Sequence, residues 1–267
     1  MSDMVFADGK ILAHKADGVG TIVFNQPEKR NAMSIAMWDG MAEALDAFGA
    51  DPAIRCVVLE GAGGQAFVSG ADISQFEKNR SDAEAQKNYN DKTSLGRRKL
   101  LEFPKPVIAK IQGFCMGGGL GIAMSCDMRI AGTGSEFGIP AAKLGIAYGF
   151  DMVGNLVSLV GPAQAHFILM TGGRVSAEEA ERLGLINKLY PAESLDAEVA
   201  KITSTIAVNA PLSLLANKRT VRAVLADAGD RDMAAIEAAQ SACFDSADYR
   251  EGRRAFMEKR KPVFTGA

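Results

Sequence analysis

Two short segments carry the residues best suited to chemistry, and in both the reactive group is the backbone amide. Residues 66–73 read Ala-Phe-Val-Ser-Gly-Ala-Asp-Ile, and residues 113–121 contain the glycine triplet 117–119. Glycine permits close backbone approach and left-handed dihedral angles that other residues avoid. We predict that both segments aim N–H groups at one oxygen atom, where they would stabilise a developing negative charge whatever the nearby side chains are.

Strands are predicted immediately before both segments. The apolar run 56–59 precedes the glycine-rich residues 61–64, and the apolar run 106–111 precedes the glycine triplet. Continuous runs of this kind are typical of strands that are buried on both faces. Residues 120–124 predict a helix that begins at the triplet. The dipole of that helix would favour negative charge at its first turn.

Strand and helix patterns alternate through the first 190 residues, which predicts an α/β fold. We expect strands at 11–15, 21–25, 128–131 and 136–139, and helices at 35–48 and 81–102. From 193 to 261 the chain is rich in Ala, Leu, Glu, Lys and Arg, with helix breaks near 209–211 and 229–230. We therefore divide the chain into a core at 1–195 and a helical region at 196–267, and expect that region to pack on a neighbouring subunit.

Charge and hydropathy exclude several classes of partner. The 30 basic and 32 acidic residues of the 267-residue chain, with a pI near 5.8, give no basic excess for nucleic acid. The acidic N-terminal residues do not resemble a signal peptide. The most apolar stretch, 111–126, is interrupted by Gln112 and glycines, so no membrane span is expected.

The cysteines predict a reducing compartment, and the histidines do not indicate a metal site. The four cysteines form no CxxC pair and have mostly apolar neighbours, which predicts reduced thiols and a cytoplasmic location. His14 and His166 are the two histidines of the chain and stand far apart. No metal-ligating cluster is therefore expected.

These segments, together with three others, resemble the crotonase superfamily of enoyl-CoA hydratases and isomerases over almost the whole chain. The other matching segments are 25–33 (Asn-Gln-Pro-Glu-Lys-Arg-Asn-Ala-Met), 126–131 and 180–187. The resemblance implies a spiral of ββα repeats with a C-terminal helical trimerisation region, in a homotrimer or hexamer. It also implies an acyl-CoA substrate, no separate cofactor, and an oxyanion hole formed by the N–H groups of Ser69 and Gly118.

The same resemblance implies a set of residues that contact the substrate. It places Ala71, Asp72 and Ile73 beside the first donor, and Phe256 and Lys259 near the chain end against coenzyme A. For the last two, a solvated basic tail with one buried Phe is the alternative. Lys29 and Arg30 are further candidates for phosphate contacts, and Asp72 and Asp127 also fit structural acids that fix the two loops.

The chain departs from the hydratase pattern where proton transfer takes place. Gly121 and Ala141 stand where the hydratases have two glutamates, and Gly149 stands where other members use an aspartate. Addition of water needs both a base and an acid, so efficient simple hydration is not expected. Tyr148 aligns with a tyrosine of methylmalonyl-CoA decarboxylase-like members.

Three functions therefore stay open at this point. The first is an acyl-CoA enzyme that stabilises a thioester enolate. The second is decarboxylation of a malonyl-type CoA thioester, with the Tyr148 hydroxyl orienting the carboxylate. The third is a protein that binds acyl-CoA without turnover. For Tyr148 the alternative is a pocket-wall aromatic, and for Asp151 the alternative to catalysis is a helix cap.

Overall fold

Short strands alternate between two sheets in the computed structural model, which describes residues 3–72 and 83–267. Within these ranges the larger sheet contains β1 (Met4–Phe6), β2 (Ile11–Ala16), β3 (Val19–Phe24), β4 (Cys56–Gly61), β6 (Val107–Ile111), β8 (Met128–Gly132) and β11 (Lys188–Tyr190). The smaller sheet contains β5 (Ala66–Val68), β7 (Phe114–Met116), β9 (Glu136–Gly138) and β10 (Arg174–Ser176). The strand orders are β1-β2-β3-β4-β6-β8-β11 and β10-β9-β7-β5.

Helices follow the strand pairs and then make up most of the C-terminal part. Those in the described ranges are α1 (Ile35–Ala50), α2 (Ala83–Glu102), α3 (Gly118–Ser125), α4 (Phe150–Thr171), α5 (Ala177–Leu183), α6 (Leu195–Ala207), α7 (Pro211–Leu225), α8 (Met233–Asp245) and α9 (Ala247–Met257). Ser34 caps α1 by accepting from the Met37 N–H. Such a cap supplies an acceptor to an N–H that has no partner inside the helix.

Three successive units follow the pattern strand, strand, helix: β4-β5-α2, β6-β7-α3 and β8-β9-α4. The first strand of each unit lies next to the others, in parallel, in the larger sheet. The second strands lie next to one another, also in parallel, in the smaller sheet. The predicted α/β fold of ββα repeats is therefore confirmed.

Apolar side chains fill both sides of the larger sheet. On one side, Val57 and Leu59 of β4 belong to a cluster with side chains of α1 and the smaller sheet. In this cluster the rings of Phe24 and Phe67 pack edge to face, with their centres 5.4 Å apart. On the other side, Cys56 and Val58 pack against residues of α6. Burial on both faces explains why β4 is continuously apolar. Helix α6 begins at the predicted division near 195, and that division stays a prediction.

Helix α4 is long and apolar enough, by length and composition, to cross a membrane. It is interrupted at Gly161, where φ is 74°, and Pro162 follows. A proline at this point removes a backbone donor and breaks the regular helix. The helix completes the third ββα unit of the fold. The expectations of no membrane span and of a cytoplasmic location stay predictions.

Candidate active site

Asn31 holds the strand that leads into the first loop. Its side-chain amide donates to the carbonyl oxygens of Ala62 at 2.9 Å and Ala66 at 2.8 Å. Its Oδ1 accepts from the Gln26 N–H at 3.0 Å, and the residue is fully buried. The φ of Asn31 is 57°, a left-handed conformation that asparagine tolerates better than most residues. The matching segment 25–33 therefore has a structural role: it fixes the start of β5.

The loop after β5 lies alongside residues 30–33 and pairs with them through its backbone. The Ser69 N–H donates to the Arg30 carbonyl at 3.1 Å, and the Met33 N–H donates to the Gly70 carbonyl at 2.8 Å. The Asp72 N–H in turn donates to the Met33 carbonyl at 3.0 Å. Successive N–H groups of an extended chain point to opposite sides, so the Ala71 N–H faces away from this partner segment.

The sequence prediction for Ser69 is wrong on this point, because its amide already has an acceptor in Arg30. The Ala71 N–H, by contrast, has no acceptor among the residues that the structure describes. Ala71 also lines the cavity described below. The first-loop N–H without an acceptor on this cavity wall is therefore that of Ala71, two residues further along the chain than the predicted donor.

The second loop ends in helix α3. Gly117, with φ of 53° and ψ of −117°, is the N-cap residue, and its N–H donates to the Gly138 carbonyl at 2.8 Å. Gly118 is the first residue of α3, where an N–H has no acceptor within the helix. None is found for it elsewhere in the described ranges. The positive end of the helix dipole adds to the field of this donor.

The two loops touch through glycines. A Cβ placed on Gly119 would lie 2.1 Å from the Val68 carbonyl oxygen, so no side chain fits there. A Cβ placed on Gly117 would lie 4.0 Å from the Gly70 Cα. The first turn of α3 is thus pressed against the end of β5. This contact places Ala71 and Gly118 on the wall of one cavity.

That cavity has a volume of about 380 Å³. Its wall combines both loops, one side of α2, Trp38 of α1, and the segment that leads into α4. The lining residues are Trp38, Ser69, Gly70, Ala71, Tyr89, Asn90, Thr93, Ser94, Arg97, Gly117, Gly118, Pro140, Ala141, Leu144, Ile146, Ala147, Tyr148, Gly149, Phe150, Asp151 and Met152. The structure therefore brings together Ser69, Ala71, Gly118 and Tyr148 of the predicted site residues.

Tyr148 and Asp151 both face this cavity. The Tyr148 hydroxyl lies 3.1 Å from the point that a Cβ on Gly117 would occupy, which places it beside the second loop. Asp151 is exposed in the first turn of α4. The N-cap of that helix is Gly149, and no side chain caps it, so the cap interpretation of Asp151 is wrong.

The two positions that lack glutamate differ in their surroundings. Ala141 lies on the cavity wall. Gly121 is buried, and a Cβ on it would lie 3.2 Å from Met152 Sδ and 3.6 Å from Arg97 Cδ. Met152 and Arg97 thus cover the place where a side chain at residue 121 would begin. Arg97 and Trp38 also line the cavity and are not among the predicted site residues; the helix that carries Arg97 is predicted from the sequence only as a charged helix.

Lys29 and Arg30 lie behind the first loop and do not line the cavity. Lys29 Nζ is 2.9 Å from the carboxylate of Asp72, whose side chain is 7% exposed. Arg30 Cζ lies 5.1 Å from the ring centre of Phe114, within cation–π range. Asp72 therefore has the structural contact expected of an acid that fixes this loop, and a direct role in substrate binding stays a prediction.

Three further predicted residues are not brought to the cavity by the described chain. Ile73 lies outside the described residues. Phe256, in the last turn of α9, is 83% exposed, and Lys259 is exposed just beyond that helix. Neither lines the cavity. Their contact with coenzyme A stays a prediction.

The other matching segments fasten helices to the larger sheet. Asp127 accepts from the Val107 N–H at 2.8 Å and from Lys218 Nζ of α7 at 2.7 Å. Burial lowers the pKa of Lys218, and the charge of Asp127 opposes that shift. Arg129 donates to the carbonyls of Leu185 at 2.9 Å and Cys126 at 3.0 Å. Asp127 thus has the contacts of a structural acid, but they fix the start of β6 and helix α7 rather than the second loop.

Comparison with known proteins agrees with this geometry. The family model described as enoyl-CoA hydratase/isomerase matches residues 14–267. The chain belongs to the enoyl-CoA hydratase/isomerase family. Over 257 residues it is 37% identical to a crotonyl-CoA hydratase of Syntrophomonas wolfei, covering 95% of this chain and 97% of that protein.

Two further members of the enoyl-CoA hydratase/isomerase family are similar to this chain over almost its whole length. A solved structure described as an enoyl-CoA hydratase/carnithine racemase from Magnetospirillum magneticum superimposes with a TM-score of 0.92, at 35% identity, covering 97% of this chain and 96% of the other. A methylmalonyl-CoA decarboxylase of Escherichia coli is 31% identical over 252 residues, covering 93% of this chain and 95% of its own length. Family membership thus establishes an enzyme that acts on acyl-CoA, with the reaction left open.

Proposed function

We propose that this family member binds an acyl-CoA so that the thioester oxygen accepts from the N–H groups of Ala71 and Gly118. The supporting observation is that both N–H groups lack an acceptor in the described chain and lie on one cavity wall. Donors held in place before the reaction stabilise the enolate oxygen more than the ground-state carbonyl, because the negative charge develops there. The reaction then proceeds through a thioester enolate.

The bound carbonyl itself provides the direct test. Two fixed donors polarise a C=O bond, so [1-¹³C]butyryl-CoA bound to the protein should show a downfield carbonyl shift in ¹³C NMR and a lower C=O stretching frequency in infrared difference spectra. Binding with an unchanged carbonyl signal would contradict the proposed donors. Incubation with a panel of CoA thioesters, followed by mass spectrometry, would then identify the reaction.

Simple hydration should be slow in this chain. Neither Gly121 nor Ala141 carries an ionisable group, and each positioned acid or base contributes about 10²–10⁴-fold to such a reaction. We therefore expect crotonyl-CoA hydration, followed by loss of absorbance of the conjugated thioester, at least about 10³-fold below that of a hydratase with both glutamates. Turnover close to such a hydratase would show that another pair of groups moves the protons.

Decarboxylation of a malonyl-type CoA thioester is the second candidate. Loss of CO₂ generates the enolate directly and needs no base for that step, which fits a cavity without the two glutamates. The Tyr148 hydroxyl beside Gly117 supports it, because a donor there could orient the leaving carboxylate. Release of CO₂ from methylmalonyl-CoA, reduced in Tyr148→Phe, is the expected result. No release from methylmalonyl-CoA or ethylmalonyl-CoA would remove this candidate.

Acyl-CoA binding without turnover is the third possibility left by the missing acid and base. Calorimetric binding of several acyl-CoA species, with no product by mass spectrometry from any of them, would favour it over both reactions.

A further inference from the structure

Arg97 of α2 is the one strongly basic side chain among the described residues that line the cavity. Its guanidinium carbon lies 5.9 Å from the ring centre of Trp38, and one Nη donates to the Ser94 hydroxyl at 3.0 Å. Its Cδ lies near Gly121, in the space left by the absence of a side chain there. Helix α2, the indole ring and the glycine of α3 together hold the guanidinium at the cavity wall.

This arginine has no carboxylate partner within 4.0 Å in the described part of the chain. Asp151 also lines the cavity but lies more than 4.0 Å from the Arg97 guanidinium. Its negative charge acts to raise the pKa of Arg97 without forming a salt bridge. A guanidinium has five N–H donors in a planar fork, and the hydroxyl of Ser94 accepts from one Nη. Burial lowers the pKa of Arg97, yet an arginine stays charged at neutral pH.

Arg129 is a buried structural arginine, and its contacts can be compared with those of Arg97. Its guanidinium donates from Nε and from one Nη to carbonyl oxygens of the protein. Partners of this kind offset the cost of removing the charge from water. Arg97 is half-buried without such carbonyl partners; within the described ranges its side chain has one acceptor, the Ser94 hydroxyl, and the residue lines the cavity. An anion bound in the cavity would supply the missing acceptors.

Arg97 also lies at a defined place relative to the oxyanion donor. It contacts the site of Gly121, which is three residues after Gly118 in α3. Residues three apart on a helix are neighbours on its surface, with side chains starting about 5–6 Å apart. An anionic group at Arg97 would therefore lie beyond the carbon next to the thioester carbonyl.

We propose that Arg97 binds a carboxylate carried by the acyl chain, so that the substrate is the CoA thioester of a dicarboxylic acid. The carboxylate lies beyond the α-carbon, as in glutaryl-CoA, rather than on it. This inference rests on the proposed function, since the thioester must be seated at Ala71 and Gly118. Arg97 acts as a specificity-determining residue: the planar fork pairs with a carboxylate through two parallel hydrogen bonds.

Isothermal titration calorimetry with glutaryl-CoA and with valeryl-CoA tests this assignment. The two acyl chains have the same number of carbons and differ by the terminal charge. We expect the protein to bind glutaryl-CoA about tenfold or more tightly than valeryl-CoA, the range given by charge-assisted hydrogen bonds. Arg97→Met should abolish that preference, whereas Arg97→Lys should keep part of it.

Arg98→Met is the matched control, because Arg98 is the neighbouring, exposed arginine on the same helix and does not line the cavity. It should keep the full preference. Thermal denaturation of each variant checks that the fold is retained. Equal affinity of the unmodified protein for both thioesters, or a preference that persists in Arg97→Met, would overturn the assignment. Binding of neither thioester would instead overturn the proposed function, so the two failures are distinguishable.

Discussion

Gly118 offers a way to remove a single backbone donor without removing a side chain. It is the first residue of α3, a position that accepts proline, and a Cβ on it meets nothing within 4 Å. Gly118→Pro lacks the N–H, whereas Gly118→Ala keeps it. We expect the proline variant to be about 10²–10³-fold slower than the alanine variant on any thioester that the protein turns over.

The carbonyl ¹³C signal of bound butyryl-CoA should lie further downfield in the faster Gly118→Ala variant than in the slower Gly118→Pro variant. Equal melting temperatures would show that the fold is unaffected. If both variants polarised the carbonyl alike, the donor would not be the Gly118 N–H.

At the residue scale, the sequence indicates the direction of a backbone N–H only where the neighbouring residues determine it. The glycine triplet alone indicates Gly118, because a helix that begins there leaves its first N–H without an acceptor. The choice between Ser69 and Ala71 depends on which distant segment pairs with the loop, and the Arg30 and Met33 contacts decide it. Arg97 gives no signal of its own, since the charged helix around it is typical of a solvated surface.

At the scale of elements, Asn31 links three segments through one side chain. Replacing it with alanine would leave Ala62 O, Ala66 O and the Gln26 N–H without their partner. We expect Asn31→Ala to lower the free energy of unfolding by about 2–4 kcal/mol, measured by urea denaturation. Glu28→Ala, an exposed change in the same segment, should stay within about 0.5 kcal/mol. Similar values for both variants would contradict this role.

The longer elements could be predicted from the sequence and several of the shortest could not. The strands at 11–15, 21–25 and 56–59, and the helices at 35–48 and 81–102, match β2, β3, β4, α1 and α2 closely within the described ranges. Strands β5, β7 and β10 have three residues each, too few to show a period. They form because they pair with strands distant in sequence, which a local pattern does not contain.

At the scale of the whole molecule, the C-terminal helices expose large apolar side chains. Those on α7 to α9 include Val221, Val224, Leu225, Met233, Phe244, Phe256 and Met257, each more than half exposed. Exposed apolar patches of this kind indicate a protein interface. We expect light scattering after gel filtration to give a mass three or six times the 28.2 kDa of the chain. A mass of one chain at micromolar concentration would contradict the predicted trimer or hexamer.

The unequal surroundings of Ala141 and Gly121 set the order in which a new reaction could be engineered into this scaffold. A longer side chain grafted at Ala141 grows into open volume, because that residue already faces the cavity. At Gly121 the Cβ of the same graft lies 3.2 Å from the thioether of Met152, so that side chain has to shift by a few tenths of an ångström before the graft is accommodated. If both carboxylates were introduced in one step, inactivity caused by crowding at residue 121 would be taken for a failure of the new acid and base.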